Sequence, residues 1–182
     1  MWRVCVRTAM VPALVLAAAA AASAQTAVGL PDSSQTTTLT ASVSEQARVT
    51  VPANINFNVT NVNASTAATA AAVTIQNIVL ATNTKQLRVS MQAGAASFTP
   101  PVGGATTWNA NAVSWNAASW TNATGAAGTL SNSAFNTVAT CDADVSACST
   151  TGLTFTLGAN GSVTRSGDHV LQVTWKFESI GS

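Results

Sequence analysis

Alternation of apolar and polar residues with a period of two is the feature that most restricts the fold of this chain. Because successive side chains of a strand point to opposite faces, this period predicts half-buried strands. The longest run comprises Leu171, Val173, Trp175 and Phe177. Shorter runs occur at Leu39, Ala41 and Val43, at Ile55, Phe57 and Val59, at Leu87, Val89 and Met91, and at Leu153, Phe155 and Leu157.

The residues between these runs favour turns and argue against helices. Thr, Ser, Val and Asn are abundant, and the helix formers Glu, Lys and Arg are scarce. Pro52, the pair Pro100-Pro101 and the dipeptide Asn160-Gly161 are typical of turns. Seven or eight short strands separated in this way predict an all-β fold, an antiparallel β-sandwich.

The N-terminus has the pattern of a secretory signal peptide. Arg3 and Arg7 form a basic region, residues 10–22 form an apolar run, and Ala22-Ser23-Ala24 is a small-residue cleavage site. We expect residues 1–24, with Cys5, to be removed. No later apolar stretch is long enough to span a membrane. The prediction is therefore a bacterial protein without a transmembrane anchor, secreted to the cell surface or the extracellular space.

The mature chain is expected to contain one domain. Residues 25–35 are predicted to be a flexible lead-in, and residues 36–182 a single β-sandwich domain. Residues 102–150 are rich in Asn, Ala, Ser, Thr and Trp and lack a regular pattern. We interpret them as an elaborated insertion with one or two strands.

Charge and histidine content exclude several functions. Seven basic and six acidic residues make up 7% of the chain, so no basic patch for nucleic acid can form. His169, after Asp168, is the only histidine, and it is expected to be a polar residue at a strand edge. There is no Gly-x-Ser-x-Gly turn and no close carboxylate pair of the kind that glycoside hydrolysis requires, so we predict neither an enzyme nor a cofactor.

Two cysteines remain in the predicted mature chain. Cys141 and Cys148 are separated by six residues, and an even pair in an exported chain predicts a disulfide. Asp142 and Asp144 lie inside this loop. Two carboxylates on a constrained loop suit Ca²⁺, and the alternative is an ordinary solvated loop.

Three tryptophans form a cluster in the least regular part of the sequence. Trp108, Trp115 and Trp120 lie within thirteen residues and have almost no charged neighbours. Exposed indole faces would stack on sugar rings and form a glycan-binding surface. The alternative is that these large side chains fill the core. Trp175, in the strongest strand pattern, is expected to be a core residue.

Both ends of the predicted mature chain resemble a known family. A glycine turn leads into an alternating terminal strand, Arg165-Ser-Gly-Asp-His-Val-Leu-Gln-Val-Thr-Trp-Lys-Phe-Glu-Ser-Ile180, and residues 47–59 contain a short Val strand followed by Asn-Ile-Asn-Phe. These segments are similar to secreted bacterial pilin-like domains of the spore-coat-U and chaperone–usher types. The resemblance implies an immunoglobulin-like sandwich of about 7–9 strands, surface display, and assembly by strand donation between subunits.

These observations lead to two functional hypotheses. The first is an exported structural or adhesive protein, a pilin-like subunit of a fimbria. Its partners would be other copies of itself or other envelope subunits, and its free N-terminal extension would pair with a neighbour's sheet edge. The second is a monomeric secreted carbohydrate-binding or adhesion module that contacts glycans through the tryptophan cluster.

Overall fold

The computed structural model describes residues 27–31, 33 and 35–181. The predicted signal peptide, residues 1–24, lies outside this range. The chain divides into two compact units, one up to Ala41 and one of Ser42–Ser182. The larger unit thus begins six residues after the predicted domain start at residue 36. Within the described range, no helix has the length and apolar character needed to span a membrane.

The described residues form eleven strands and one short 3-10 turn, Ala110–Ala112. The all-β prediction is therefore confirmed. The strand number exceeds the predicted one because several strands are only two or three residues long. The strands are β1 (Gln46–Thr50), β2 (Thr66–Ala67), β3 (Ala71–Val79), β4 (Gln86–Ala93), β5 (Val113–Trp115), β6 (Ala123–Gly125), β7 (Gly128–Thr129), β8 (Asn136–Cys141), β9 (Cys148–Leu153), β10 (Phe155–Leu157) and β11 (Val173–Ile180).

Three antiparallel sheets contain these strands. Their orders are β1-β3-β9, β2-β10-β5-β7 and β11-β4-β8-β6. Thr154 alone separates β9 from β10, so the chain passes directly from the first sheet to the second. The arrangement is consistent with a β-sandwich, and its immunoglobulin-like type stays a prediction.

The core draws on all three sheets. Val73 and Ile75 of β3, Val89 of β4 and Val138 of β8 are at most 1% exposed. Phe155 and Leu157 of β10 complete the same cluster. Burying an aliphatic or aromatic side chain of this size contributes about 1.5–3 kcal/mol. The alternating residues of the sequence thus supply the inner faces of the sheets.

Residues 102–150 contribute strands to all three sheets, so the prediction of one or two strands there was wrong. They contain β5, β6, β7 and β8 and the start of β9. β6 and β7 have the sequences Ala-Thr-Gly and Gly-Thr, so no large apolar residue marks them in the sequence. Gly128 of β7 lies directly against the Trp115 ring and leaves no room for a Cβ atom.

The predicted disulfide is confirmed. Cys141 ends β8 and Cys148 begins β9, and their Cα atoms are 5.9 Å apart. β8 and β9 belong to different sheets, so the bond ties the third sheet to the first. Both cysteines are at most 1% exposed.

Candidate functional site

An open groove of about 1520 Å³ runs along one side of the Ser42–Ser182 unit. One rim is the segment 52–59, and the other is the segment 163–175, which ends in β11. Pockets for small molecules usually enclose about 300–1,000 Å³. The groove is therefore larger than such a pocket.

The first rim has the pattern of a strand but lacks a partner strand. Ile55, Phe57 and Val59 are partly buried against the core, and the Asn residues between them are exposed. Within the described part of the chain, no strand pairs with residues 52–59, and Val59 N–H donates only to the nearby Phe57 carbonyl (3.1 Å). The strand predicted at Ile55, Phe57 and Val59 is thus not formed, since these residues belong to none of the described sheets.

The second rim is the edge of the third sheet. β11 pairs with β4 through eight residues, and the sheet order ends there. Before β11, Val170 and Thr99 form an isolated bridge by exchanging two backbone hydrogen bonds (2.8 and 3.0 Å). The eight residues of β11 form an edge of about 26 Å at about 3.3 Å per residue. In the described chain, no other strand covers the second side of this edge.

The floor between the rims is apolar. Its buried residues come from the second and third sheets and from loops, and include Met91, Phe98, Trp108, Val113, Leu130 and Phe155. Among the described lining residues, the titratable groups are Arg165, Asp168 and His169, which lie together in one loop. An extended segment with neutral apolar side chains on one face fits such a floor.

His169 fastens this loop to the floor. Its Nδ1 lies 2.7 Å from Thr107 Oγ1, and its ring packs edge-on against Trp108 with centroids 5.2 Å apart. Its Nε2 faces the Arg165 carbonyl oxygen at 3.3 Å. Both ring nitrogens therefore contact groups other than Asp168, and His169 acts as a structural link between two loops.

The tryptophan cluster does not form one exposed surface. Trp108 and Trp115 are 5% and 3% exposed, and their Nε1 atoms donate to the carbonyls of Gly158 (2.8 Å) and Ala126 (3.0 Å). The core alternative is confirmed for these two, and the prediction of an exposed ligand surface is wrong for them. Trp120 is partly buried, and its Nε1 has no partner among the described residues.

Trp175 is a core residue only in part. It packs against the core but stays partly exposed and lines the groove. The reason is its position on an edge strand, where no further strand covers the indole. The alternation correctly indicates that Trp175 faces the core side of the sheet, but it does not indicate that β11 is an edge strand.

Asp142 and Asp144 are exposed in the disulfide loop. Within the described residues, no group of three or more His, Cys, Asp or Glu side chains is arranged to hold a metal ion. The calcium alternative therefore gains no third ligand from nearby acidic side chains.

The described segment before β1 is exposed and contains no strand. Leu39 is 92% and Val43 73% exposed, and both belong to an alternating run with Thr and Ser. No strand is present among the described residues that precede Gln46. We call residues 36–44 the arm.

Glu45 fixes the end of the arm to the sandwich. Its Oε1 accepts hydrogen bonds from the Ala81 backbone N–H (2.7 Å), Lys85 Nζ (3.1 Å) and Ser179 Oγ (3.2 Å). The Ala81 hydrogen bond, followed by the one from Lys85, holds the pKa of this carboxyl below its usual value. The carboxylate thus joins the start of β1, the β3–β4 turn and the end of β11.

Comparison with known proteins finds no matching family model and no significantly similar curated protein or solved structure. The function is therefore inferred from the groove and the arm. In the sequence, the alternation at residues 54–59 and 171–177 marks both rims of the groove.

Proposed function

We propose that this protein is an exported structural subunit of a pilin-like assembly at the cell envelope or outside the cell. Copies join when the arm of one subunit enters the groove of another as an additional strand. The observation that carries this proposal is a groove with an apolar floor. It lies between residues 52–59, which pair with no described strand, and the segment 163–175, which includes the start of the edge strand β11.

The arm suits the groove in its chemistry. In an extended arm, Leu39, Ala41 and Val43 share one face, and the residues between them are Thr and Ser. The apolar face would contact the floor, and the hydroxyl face would remain in water. Residues 36–44 contain no charge, which agrees with the neutral floor beneath them.

The arm also suits the groove in its length. Its nine residues span about 30 Å when extended, and the eight residues of the first rim span about 26 Å. An inserted strand would supply hydrogen-bonding partners to the free edge of β11. Main-chain hydrogen bonds of this kind are the basis of strand addition to a sheet edge.

One arm and one groove per subunit give an open chain. The contact joins two different surfaces, so each added copy presents a further free groove or a further free arm. The signal-peptide pattern and the disulfide support assembly outside the cytoplasm.

The test is the oligomeric state of residues 25–182, measured by light scattering after size-exclusion chromatography and by electron microscopy. We expect a ladder of oligomers or fibres. Deletion of residues 25–44 should abolish them and leave the β-sheet signal in circular dichroism. A stable monomer that is insensitive to an added arm peptide would overturn the proposal.

A further inference from the structure

Glu45 connects the two parts of a subunit that strand donation would use. On one side it directly precedes β1 and follows the arm. On the other side it accepts a hydrogen bond from Ser179, near the end of β11. The carboxylate therefore touches both the root of the arm that a subunit would give and the strand that would receive another arm.

We propose that filling a subunit's groove orders the root of its own arm through the Glu45–Ser179 contact. The inference rests on the strand donation proposed above and adds its regulation. A subunit that has received an arm would become a better donor, and chain growth would be cooperative.

The physical basis is the edge position of β11. An edge strand has hydrogen bonds on one side only, so its end opens more easily than that of an interior strand. A docked arm would add a second row of hydrogen bonds and reduce these openings. Ser179 would then hold its position, and the Glu45 carboxylate would be held with it.

The direction of the effect follows from reciprocity. If ordering β11 favours an ordered arm root, ordering the arm root favours binding in the groove by the same factor. The groove lining on β11 ends at Trp175, and Ser179 lies four residues further along the same strand and on the same face. No second domain or large movement is required.

The charged surroundings of Glu45 keep this contact specific. Lys85 faces the carboxylate from the β3–β4 turn. Glu178 is adjacent to Ser179 but pairs with Arg88 and Lys176 on the outer face of the sheet. The pKa of Glu178 is lowered mainly by the Lys176 and Arg88 hydrogen bonds, so it resembles Glu45 in charge but not in position.

The experiment uses the mature chain and a synthetic arm peptide of residues 36–44. Peptide binding is followed by fluorescence anisotropy, and hydrogen exchange of residues 42–46 is followed by mass spectrometry. We expect peptide binding to slow this exchange about two- to fivefold, the range of an exposed charge-assisted contact. A peptide with Asp at both Leu39 and Val43 is the control ligand.

Three variants test whether the slower exchange of residues 42–46 depends on the Glu45–Ser179 contact. Glu45→Ala and Ser179→Ala should still bind the peptide but lose the slower exchange. Glu178→Gln, which removes a carboxylate from the outer face of β11, is the control and should bind the peptide and keep the slower exchange.

Each result decides between the two proposals. Binding without a change at residues 42–46 overturns the coupling and leaves strand donation intact. A retained effect in Glu45→Ala also overturns it. Absence of peptide binding means that strand donation itself fails, and the coupling fails with it.

Discussion

Met91 and Trp175 lie directly opposite each other in the pairing of β4 with β11 and face the same side of the sheet. Met91 is 1% exposed, whereas Trp175 is only partly buried. The difference arises because β4 has a neighbour on both sides and β11 has a neighbour on one. Trp175 therefore reports whether the groove is filled.

Trp175 should become inaccessible on assembly. We expect acrylamide to quench its fluorescence in the monomer and to lose access when the arm peptide binds. Trp175→Phe should remove the component that responds to the peptide. Trp120→Phe, outside the groove lining, should leave that component in place. An unchanged response in Trp175→Phe would contradict a groove filled beside β11.

Leu39 should be essential for assembly, and its neighbour Thr40 should not. Leu39→Asp would place a charge on the apolar floor and lose the burial of a leucine, worth about 1.5–3 kcal/mol. We expect the affinity between subunits to fall about tenfold or more. Thr40→Asp puts the same charge on the hydroxyl face.

The measurement for this pair is the concentration dependence of oligomers in light scattering. Similar losses in both variants would show that the arm does not bind with the expected face inward.

The disulfide should contribute substantially to stability. It closes a short loop, and the chain-entropy model gives about 2–3 kcal/mol for a loop of this length. Replacing both Cys141 and Cys148 by Ala should lower the free energy of unfolding by that amount. Urea denaturation of the parent, with and without reductant, is the measurement. The reduced parent should resemble the double variant, and no difference on reduction would contradict this role.

Acid should weaken the sandwich through Glu45 and Glu178. The pKa of each is lowered in the folded protein, by the Ala81 hydrogen bond first for Glu45 and the Lys176 hydrogen bond first for Glu178. A lowered folded pKa gives stability that is full above the ordinary carboxyl pKa and is lost as the pH falls through the folded pKa. The loss should therefore begin below about pH 4.5.

Urea denaturation at a series of pH values between neutral and acid checks this dependence. The double variant Glu45→Gln, Glu178→Gln should be less stable than the parent at neutral pH and should lose less on acidification. Parallel curves for the two proteins would assign the acid sensitivity to other groups.

The sequence was sufficient for the fold class and the disulfide, because both depend on local patterns. Alternation identifies which face of a strand is apolar, and the spacing of Cys141 and Cys148 fits a short loop. Alternation does not identify hydrogen-bonding partners. Phe57 and Trp175 therefore have strand patterns, but the groove between their segments emerges only from the sheet order.

The strands in residues 102–150 and the burial of the tryptophans were harder to predict for a related reason. β6 and β7 consist of Ala, Thr and Gly, whose small side chains leave no periodic apolar pattern. The burial of Trp115 depends on Gly128, which makes space for its ring from another strand. Such complementarity is a property of paired positions and is absent from a single linear pattern.

The uninterrupted register of β11 against β4 also determines how the protein would respond to mechanical force. Eight consecutive residue pairs join the two strands from Val173 to Ile180 without a bulge. A pull parallel to β11 loads these pairs together in shear, whereas a pull perpendicular to it opens them one after another. Tension along the strand direction is thus the load that this sheet edge resists best.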